Sequence, residues 1–343
     1  MEPFYLSPSP FDPEFVPGES IADTISQAKV LVLGAGGLGC EILKDLVMSG
    51  FEDIHVIDMD TIDLSNLNRQ FLFREKDIGQ PKAIVASKAI NSRMEKEVVT
   101  PHFCKIQDKD SEFYKQFLIV ICGLDSIEAR RWVSTTFINL VDDNDPFSLI
   151  PIIDGGTEGF KGQSRVIYPT ISACHECSSE MSSGKKTYPI CTITNTPRLP
   201  EHCIEYASVV LWPKFFPDKS FDTDNMDDMH WIESKSLEYA SKYGISGISF
   251  SLVLGVLKNI IPAIASTNAV IAASCVNEAV KLVSGCNPVL NNYMLYVGDI
   301  GLYSHTFELE NKPNCFVCGN KSATISVEKT ILLADLIDIL SNK

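Results

Sequence analysis

Apolar residues along most of this chain alternate between two spacings. Residues Lys29–Leu33 read KVLVL, a short apolar run that predicts a strand buried on both faces. The turn Gly34-Ala35-Gly36-Gly37-Leu38-Gly39 follows. Next comes CEILKDLVMSG, where Ile42, Leu43, Leu46 and Val47 fall on one helical face and Gly50 supplies a stop. Residues 54–57 return to a strand pattern and end at Asp58. This strand–turn–helix–strand order predicts a parallel sheet.

The alternation continues with a predicted helix over 81–94, Pro81 near its first turn, and a strand over 98–103. Residues 118–122 predict a buried strand and 126–141 a helix with Ser126 near its start. Two more strands are predicted over 149–153 and 164–168, the first weakened by Pro151. Residues 143–146, DNDP, read as a surface turn. After Pro169 cysteines, prolines and polar residues dominate as far as Trp212, and 218–230 reads as an acidic, mobile loop. Helical spacing returns over 231–243 and from Phe250 onward, and 293–297 with 302–309 predicts a closing hairpin. The most apolar stretch, 252–276, is interrupted by Lys258, Asn259, Pro262 and Asn268. It predicts two buried helices, since a membrane span wants about 20 predominantly apolar residues.

The turn GAGGLG matches a dinucleotide-type fingerprint between a strand and a helix. Gly34, Gly36, Gly37 and Gly39 give a tight turn and let backbone approach a phosphate at a helix start, where free N–H groups and a partial positive charge favour anions. Asp58 stands where a ribose-binding acid belongs. These residues predict a nucleotide site without naming the nucleotide, so an NAD-dependent oxidoreductase stays open here. The next stretch, Asp58 to Phe71, reads DMDTIDLSNLNRQF, and Lys82 and Cys122-Gly123-Leu124-Asp125 follow. That set suits adenylation. Arg69 and Lys82 can neutralise phosphates and the charge growing on pyrophosphate, and Asp125 with Asp60 can offer oxygen ligands to Mg²⁺.

Length and charge narrow the picture further. The chain has 343 residues, enough for two or three folding units, and a formal net charge of −15, which disfavours a nucleic-acid partner and suits a partner with a basic face. Its 11 cysteines, after an opening segment unlike a secretory signal, predict a reducing compartment, cytoplasmic or nuclear. Cys174-His175-Glu176-Cys177 and Cys315-Phe316-Val317-Cys318 form two CxxC pairs. Four thiolates so spaced predict a closed, structural zinc site that staples the chain end to its middle, with His175 a bystander. Cys191 stands apart among polar, threonine-rich flanks, with Pro189 placed to open a helix at which a thiol ionises more readily. Taken alone, a lone cysteine is usually core filling. Cys203, Cys40, Cys104, Cys122, Cys275 and Cys286 read as packing.

DMDTIDLSNLNRQFLF after GAGGLGCEILKDL resembles the adenylation domain of enzymes that activate ubiquitin-like proteins, a resemblance running from about Lys29 to Cys318. It implies a Rossmann-like α/β adenylation domain with a mainly parallel sheet, an inserted, mostly helical catalytic-cysteine region, and zinc. It implies that Asp58 holds the ribose, that Asn66, Arg69 and Lys82 address the phosphates with Gln70 in support, and that Asp125 serves magnesium and nucleotide. It assigns Cys191, in Pro-Ile-Cys-Thr-Ile, as the nucleophile: a modifier's C-terminus is adenylated with Mg-ATP, moved to Cys191 as a thioester and passed to a conjugating enzyme. GGTEGFKGQSRVIYP, TPRLPEHCIEYASVVLWP and HWIESKSLEYASKYGISG resemble the neddylation (Rub/Nedd8-type) branch more than the SUMO branch, which remains an alternative. In that branch Arg165 takes the place of an arginine that reads the modifier tail and repels ubiquitin's.

The expected organisation is a tail over 1–28, the adenylation domain over 29–180 and 261–320, the catalytic-cysteine region over 181–260, and the start of a truncated or reduced ubiquitin-fold domain over 321–343. One adenylation half implies an obligate heterodimer with a regulatory, pseudo-adenylation subunit. A non-catalytic scaffold of the same fold is the remaining alternative, and Arg69, Lys82, Asp125 and Cys191 together argue against it.

Overall fold

The computed structural model describes residues 6–8, 12–142, 144–181, 189–217, 219, 221–222, 225–258, 263–287, 289–319, 327, 331–335 and 337. Most of the predicted ubiquitin-fold remnant, and Asp143 of the predicted turn, lie outside that set. Helix α1 (Glu19–Gln27) leads into β1 (Lys29–Leu33), α2 (Gly37–Met48), β2 (Asp53–Ile57), α3 (Lys82–Met94), β3 (Val99–His102), α4 (Ser111–Tyr114) and β4 (Ile119–Cys122). Then come α5 (Ile127–Leu140) and the hairpin β5 (Ile152–Glu158) with β6 (Lys161–Ile167). A helical stretch follows: α6 (Ile190–Asn195), α7 (Pro200–Glu205), α8 (Trp212–Phe215), α9 (Met226–Ser241) and α10 (Phe250–Lys258). The chain returns to the sheet through α11 (Ala265–Ser284), β7 (Tyr293–Val297) and β8 (Tyr303–Phe307).

The sheet order is β3-β2-β1-β4-β5-β6-β7-β8. The pairs from β3 to β5 are parallel, and those from β5 to β8 antiparallel. Strand order reverses between β1 and β4, so the crevice beyond their carboxyl ends is the switch point at which such sheets take ligands. Ile25, Val32, Leu43, Ile54 and Ile271 belong to one apolar layer, and Leu31, Leu33, Tyr114, Val133 and Phe137 to the other. The helical stretch has its own core around Ile204, Trp212, Met229, Ile232 and Val253. No helix among the described residues is long and apolar enough to cross a membrane.

Local chemistry explains most boundaries. Ser126 caps α5, its hydroxyl accepting from Ala129 N–H. Pro81 sits at the N-cap of α3 and not inside its first turn. Strand β5 starts at Ile152, later than predicted: Pro151 stays outside it, although its carbonyl still accepts from Val120 N–H at 3.0 Å. The strand then runs on through Gly155 and Gly156. At Gly155 α2 and α11 press close, and a methyl there would lie 2.9 Å from Leu38 and from Cys275. The acidic segment is not all loop. Asn225 accepts from Asp227 and Asp228 N–H and starts α9 at Met226, and Asp228 is buried in an ion pair with Lys219.

Candidate nucleotide and thiol sites

The turn after β1 and the loop after β4 meet at the switch point. Gly34 has φ of +98°, a region that disfavours side chains, and a Cβ there would stand 2.8 Å from the Gly123 carbonyl oxygen. Gly36 behaves differently. A Cβ on it would meet nothing nearer than Gln70 Nε2 at 4.0 Å, so space is open beside its backbone at the start of α2. Gln70 is buried, yet among the described residues its Oε1 has no hydrogen-bond partner. An orphaned buried acceptor beside an open, N–H-bearing helix start fits a polar ligand.

The predicted residues ring this turn, though several are engaged with one another. Asp58 accepts from Ala35 N–H at 2.6 Å and from Asp60 N–H at 2.7 Å. Burial pushes its carboxyl up, and those two bonds oppose the shift. Lys82 is buried and pairs with Asp60 at 2.8 Å, so the expected phosphate ligand and the expected metal ligand face each other. Asn66 Oδ1 accepts from Asp63 N–H at 3.0 Å and shapes the segment that carries Arg69. Arg69 Nη1 donates to Ser65 O and Asn68 Oδ1, and among the described residues it has no acidic partner. Its charge is thereby available to an anion. Asp125 is exposed at the loop after β4.

One residue at this turn lies outside the predicted set. Asn268 on α11 is 1% exposed, and its Nδ2 sits 2.5 Å from where a Gly37 Cβ would be. Its Oδ1 accepts from the Thr157 hydroxyl at 2.7 Å. An amide on the buried face of α11, in line with Ile271, Ala272 and Cys275, was the available signal. It was read only as an interruption.

Arg165 is 3% exposed on β6. It is not an open strand arginine: Nε donates to Asp154 Oδ2 at 3.0 Å, Nη1 to Ser178 Oγ, and Nη2 approaches His175 Nδ1 at 2.5 Å. Asp154 is shared with Arg130. Burial alone would raise the Asp154 carboxyl, but the two guanidiniums outweigh it and hold it below the ordinary range. His175 is outside the four-cysteine group, as expected, but it is buried in this polar cluster and no mere bystander.

Cys174, Cys177, Cys315 and Cys318 are all buried, with their sulfurs within 4.8 Å of one another. Measured pairs are 3.8, 3.6 and 3.4 Å. Tetrahedral Zn–S bonds of about 2.3 Å place sulfurs roughly 3.8 Å apart, so the set fits zinc. Lys312 N–H also points at Cys177 Sγ, at 3.3 Å.

Cys191 is exposed, one residue into α6, with Pro189 at the N-cap. The Tyr239 hydroxyl donates to the Ile193 and Thr194 carbonyls at 3.0 and 2.7 Å, tying the end of this short helix to α9. Cys191 thus belongs to the helical region, while the predicted nucleotide residues follow the strands of the sheet. Cys203, Cys40, Cys122, Cys275 and Cys286 are buried as expected, and Cys104 is half-buried.

A profile of the ThiF family matches residues 13–317. The chain is 52% identical over 345 residues to a Dictyostelium discoideum NEDD8-activating enzyme E1 catalytic subunit, covering 97% of this chain and 78% of that protein. It is 50% identical over 356 residues to the Schizosaccharomyces pombe protein of the same name, covering 96% and 79%. A Dictyostelium discoideum SUMO-activating enzyme subunit 2 matches at 41% over 62% of this chain and 31% of that protein. The fold is similar to the crystal structure of E. coli MccB with AMPCPP and MccA, at a TM-score of 0.57 and 20% identity over 89% of this chain and 70% of that one.

Proposed function

The chain belongs to the ThiF family, among NEDD8-activating enzyme E1 catalytic subunits, and from that premise we propose that it adenylates the C-terminus of a Rub/Nedd8-type modifier and carries it as a thioester on Cys191. It is an ATP-dependent activating enzyme for a ubiquitin-like modifier. The extent and identity of the matches favour the neddylation branch over the SUMO branch and over an oxidoreductase. The observation that carries adenylation is the switch-point turn: open space beside Gly36, an orphaned Gln70 Oε1 and an Arg69 with no acidic partner.

In this reading Arg69 and Lys82 draw charge from the triphosphate, Lys82 turning from Asp60 as it does so. Asp58 and Asn66 shape the pocket, and Asp58 faces the ribose. Magnesium, when bound, would neutralise phosphate charge, and Asp125 would offer it a carboxylate oxygen. The modifier's terminal carboxylate attacks the α-phosphorus, the bond to pyrophosphate breaks, and an acyl adenylate forms. The Cys191 thiolate then attacks the acyl carbon and AMP leaves. The acyl group passes to a cysteine of the conjugating enzyme. Cys191 and the turn lie in different regions, so the thiol must travel between steps.

We assign the adenylation domain to 29–180 and 261–320 and the catalytic-cysteine region to 181–260. A regulatory subunit completes the enzyme. Selectivity through Arg165 requires its guanidinium to part from Asp154. In Arg165→Ala, relaxed modifier choice supports that role, and lost stability with unchanged choice assigns Arg165 to the Asp154 pair alone.

The test is a non-reducing gel of chain, partner subunit, Mg-ATP and modifier. An ATP-dependent, thiol-sensitive adduct that disappears in Cys191→Ala is expected. Pyrophosphate exchange without an adduct would keep adenylation and reject Cys191. Neither signal with any ubiquitin-like modifier would reject the enzyme reading.

A further inference from the structure

Among the described residues the most heavily buried charged side chains, Asp154 and Arg165 at 3% exposed, lie behind the glycine turn and not in it. Asp154 on β5 stands beside Cys122 of β4 on one side and Arg165 of β6 on the other. Arg130 of α5 pairs with Asp154 Oδ1, and its Nη2 donates to the Leu124 carbonyl at 2.5 Å and the Gly155 carbonyl at 2.8 Å. Leu124 is the residue before Asp125. The same loop abuts the glycine turn, since the Gly123 carbonyl oxygen lies under Gly34. Irregular backbone leaves carbonyls without ladder partners, and here a guanidinium takes up the one whose peptide sets the direction of Asp125.

The other oxygen of Asp154 leads toward the cysteines. Arg165 holds that oxygen and reaches Ser178 and His175. His175 lies between Cys174 and Cys177, and Ser178 follows Cys177. The loop is fixed further: His175 N–H donates to the Ser134 hydroxyl of α5 at 3.2 Å, and Ser178 Oγ donates to the His175 carbonyl at 3.0 Å. Asp154, Arg165, His175, Ser178 and Ser134 are each under 5% exposed. In such a low-dielectric network each bond polarises the next, and loss of one partner is felt by all.

Two guanidiniums share one carboxylate, leaving positive charge in excess. A divalent metal on four thiolates carries net negative charge. The cluster and the arginine pair therefore complement each other across the His175–Ser178 loop.

We propose that Arg130 and Asp154 are positioning residues for the Asp125 loop, and that through Arg165 they couple this loop to the four-cysteine metal site. The proposal rests on the adenylation reading above. Coupling of this kind is reciprocal: if a filled cysteine site steadies the loop and favours nucleotide, nucleotide on the loop must raise the affinity of that site for metal.

The test uses the purified chain with its partner subunit, as wild type, Arg130→Lys and Asp154→Asn. Lysine keeps the charge but cannot hold Asp154, Leu124 and Gly155 at once, and it is the milder change if Asp154→Asn does not fold. Zinc release to a competing colorimetric chelator is titrated at equilibrium with and without a non-hydrolysable ATP analogue. We expect the analogue to raise zinc affinity on the order of fivefold in wild type and to lose that effect in the variants. ATP–pyrophosphate exchange should show KM for ATP raised on the order of tenfold, with kcat per folded molecule within about twofold. A residue that merely stabilises the fold would lower the active fraction and leave KM alone. Zinc release indifferent to the analogue in wild type, or variants with unchanged KM, overturn the proposal. Absence of exchange in wild type would instead reject the adenylation reading, and the zinc-release arm would still decide the coupling.

Discussion

Two glycines of the same turn should respond to alanine in opposite ways. At Gly36 φ is −76° and ψ −158°, an extended conformation open to alanine, and the new methyl would meet no protein atom closer than 4.0 Å. Losing glycine at this N-cap costs no more than about 1 kcal/mol. Gly36→Ala should therefore fold normally and melt close to wild type. Its methyl would occupy the space where phosphate approaches the backbone, so KM for ATP in pyrophosphate exchange should rise by at least about tenfold. At Gly34 φ is +98° and the methyl would stand 2.8 Å from Gly123 O. The left-handed strain costs about 1–3 kcal/mol, and forcing the two loops apart costs about 1–3 more. That is a large share of the roughly 5–15 kcal/mol that holds a domain folded. Gly34→Ala should lose soluble yield or melt many degrees lower, and should lose exchange as well. Differential scanning calorimetry with exchange kinetics separates the two. A well-folded Gly36→Ala with wild-type KM would sink the assignment of this turn to phosphate.

Three further outcomes follow from the geometry. Asn268→Leu leaves the Thr157 hydroxyl unpaired and should destabilise the chain by about 1–3 kcal/mol in urea, with part recovered in Thr157→Val/Asn268→Leu; no recovery would refute the pairing. The Asp154 carboxyl is held below its ordinary range by Arg130 and Arg165 against the effect of burial. Its stabilisation is thus present above an unfolded value near ~3.9 and lost as pH falls through the folded value, so acid unfolding should begin at higher pH in Asp154→Asn. Metal analysis should find one zinc per chain, Cys315→Ser should lower that occupancy and the melting temperature together, and full occupancy in the variant would remove Cys315 from the site.

Much of the candidate nucleotide site was legible because its residues are close in sequence. GAGGLG follows β1 and DMDTIDLSNLNRQF follows β2, and these strands are parallel neighbours, so both segments start at one sheet end. The cysteine pairs were legible for a related reason: each CxxC is local, and only their meeting is long-range. What stayed hidden depends on register. Asp154 finds Arg165 by strand pairing and Arg130 across a helix packing, and neither partnership leaves a spacing signal. Asn268 reaches Thr157 from 111 residues away. The pairing of Lys82 with Asp60 was missed because both were read toward the ligand and not toward each other.

The return of α11 to the sheet bears on how the molecule is made. This helix packs on α2, β5 and β6 and delivers Asn268 beneath Gly37, yet it leaves the ribosome only after the whole helical region. Until then β5 and β6 lack their covering helix, and Ile153 and Val166 have only part of their apolar surroundings. Closing the sheet therefore depends on contacts far apart in sequence, and its apolar face is covered only when they form. A nucleotide that binds the finished turn would favour chains that have completed this closure, so ATP in the cell would act as a folding ligand for the enzyme before it serves as a substrate.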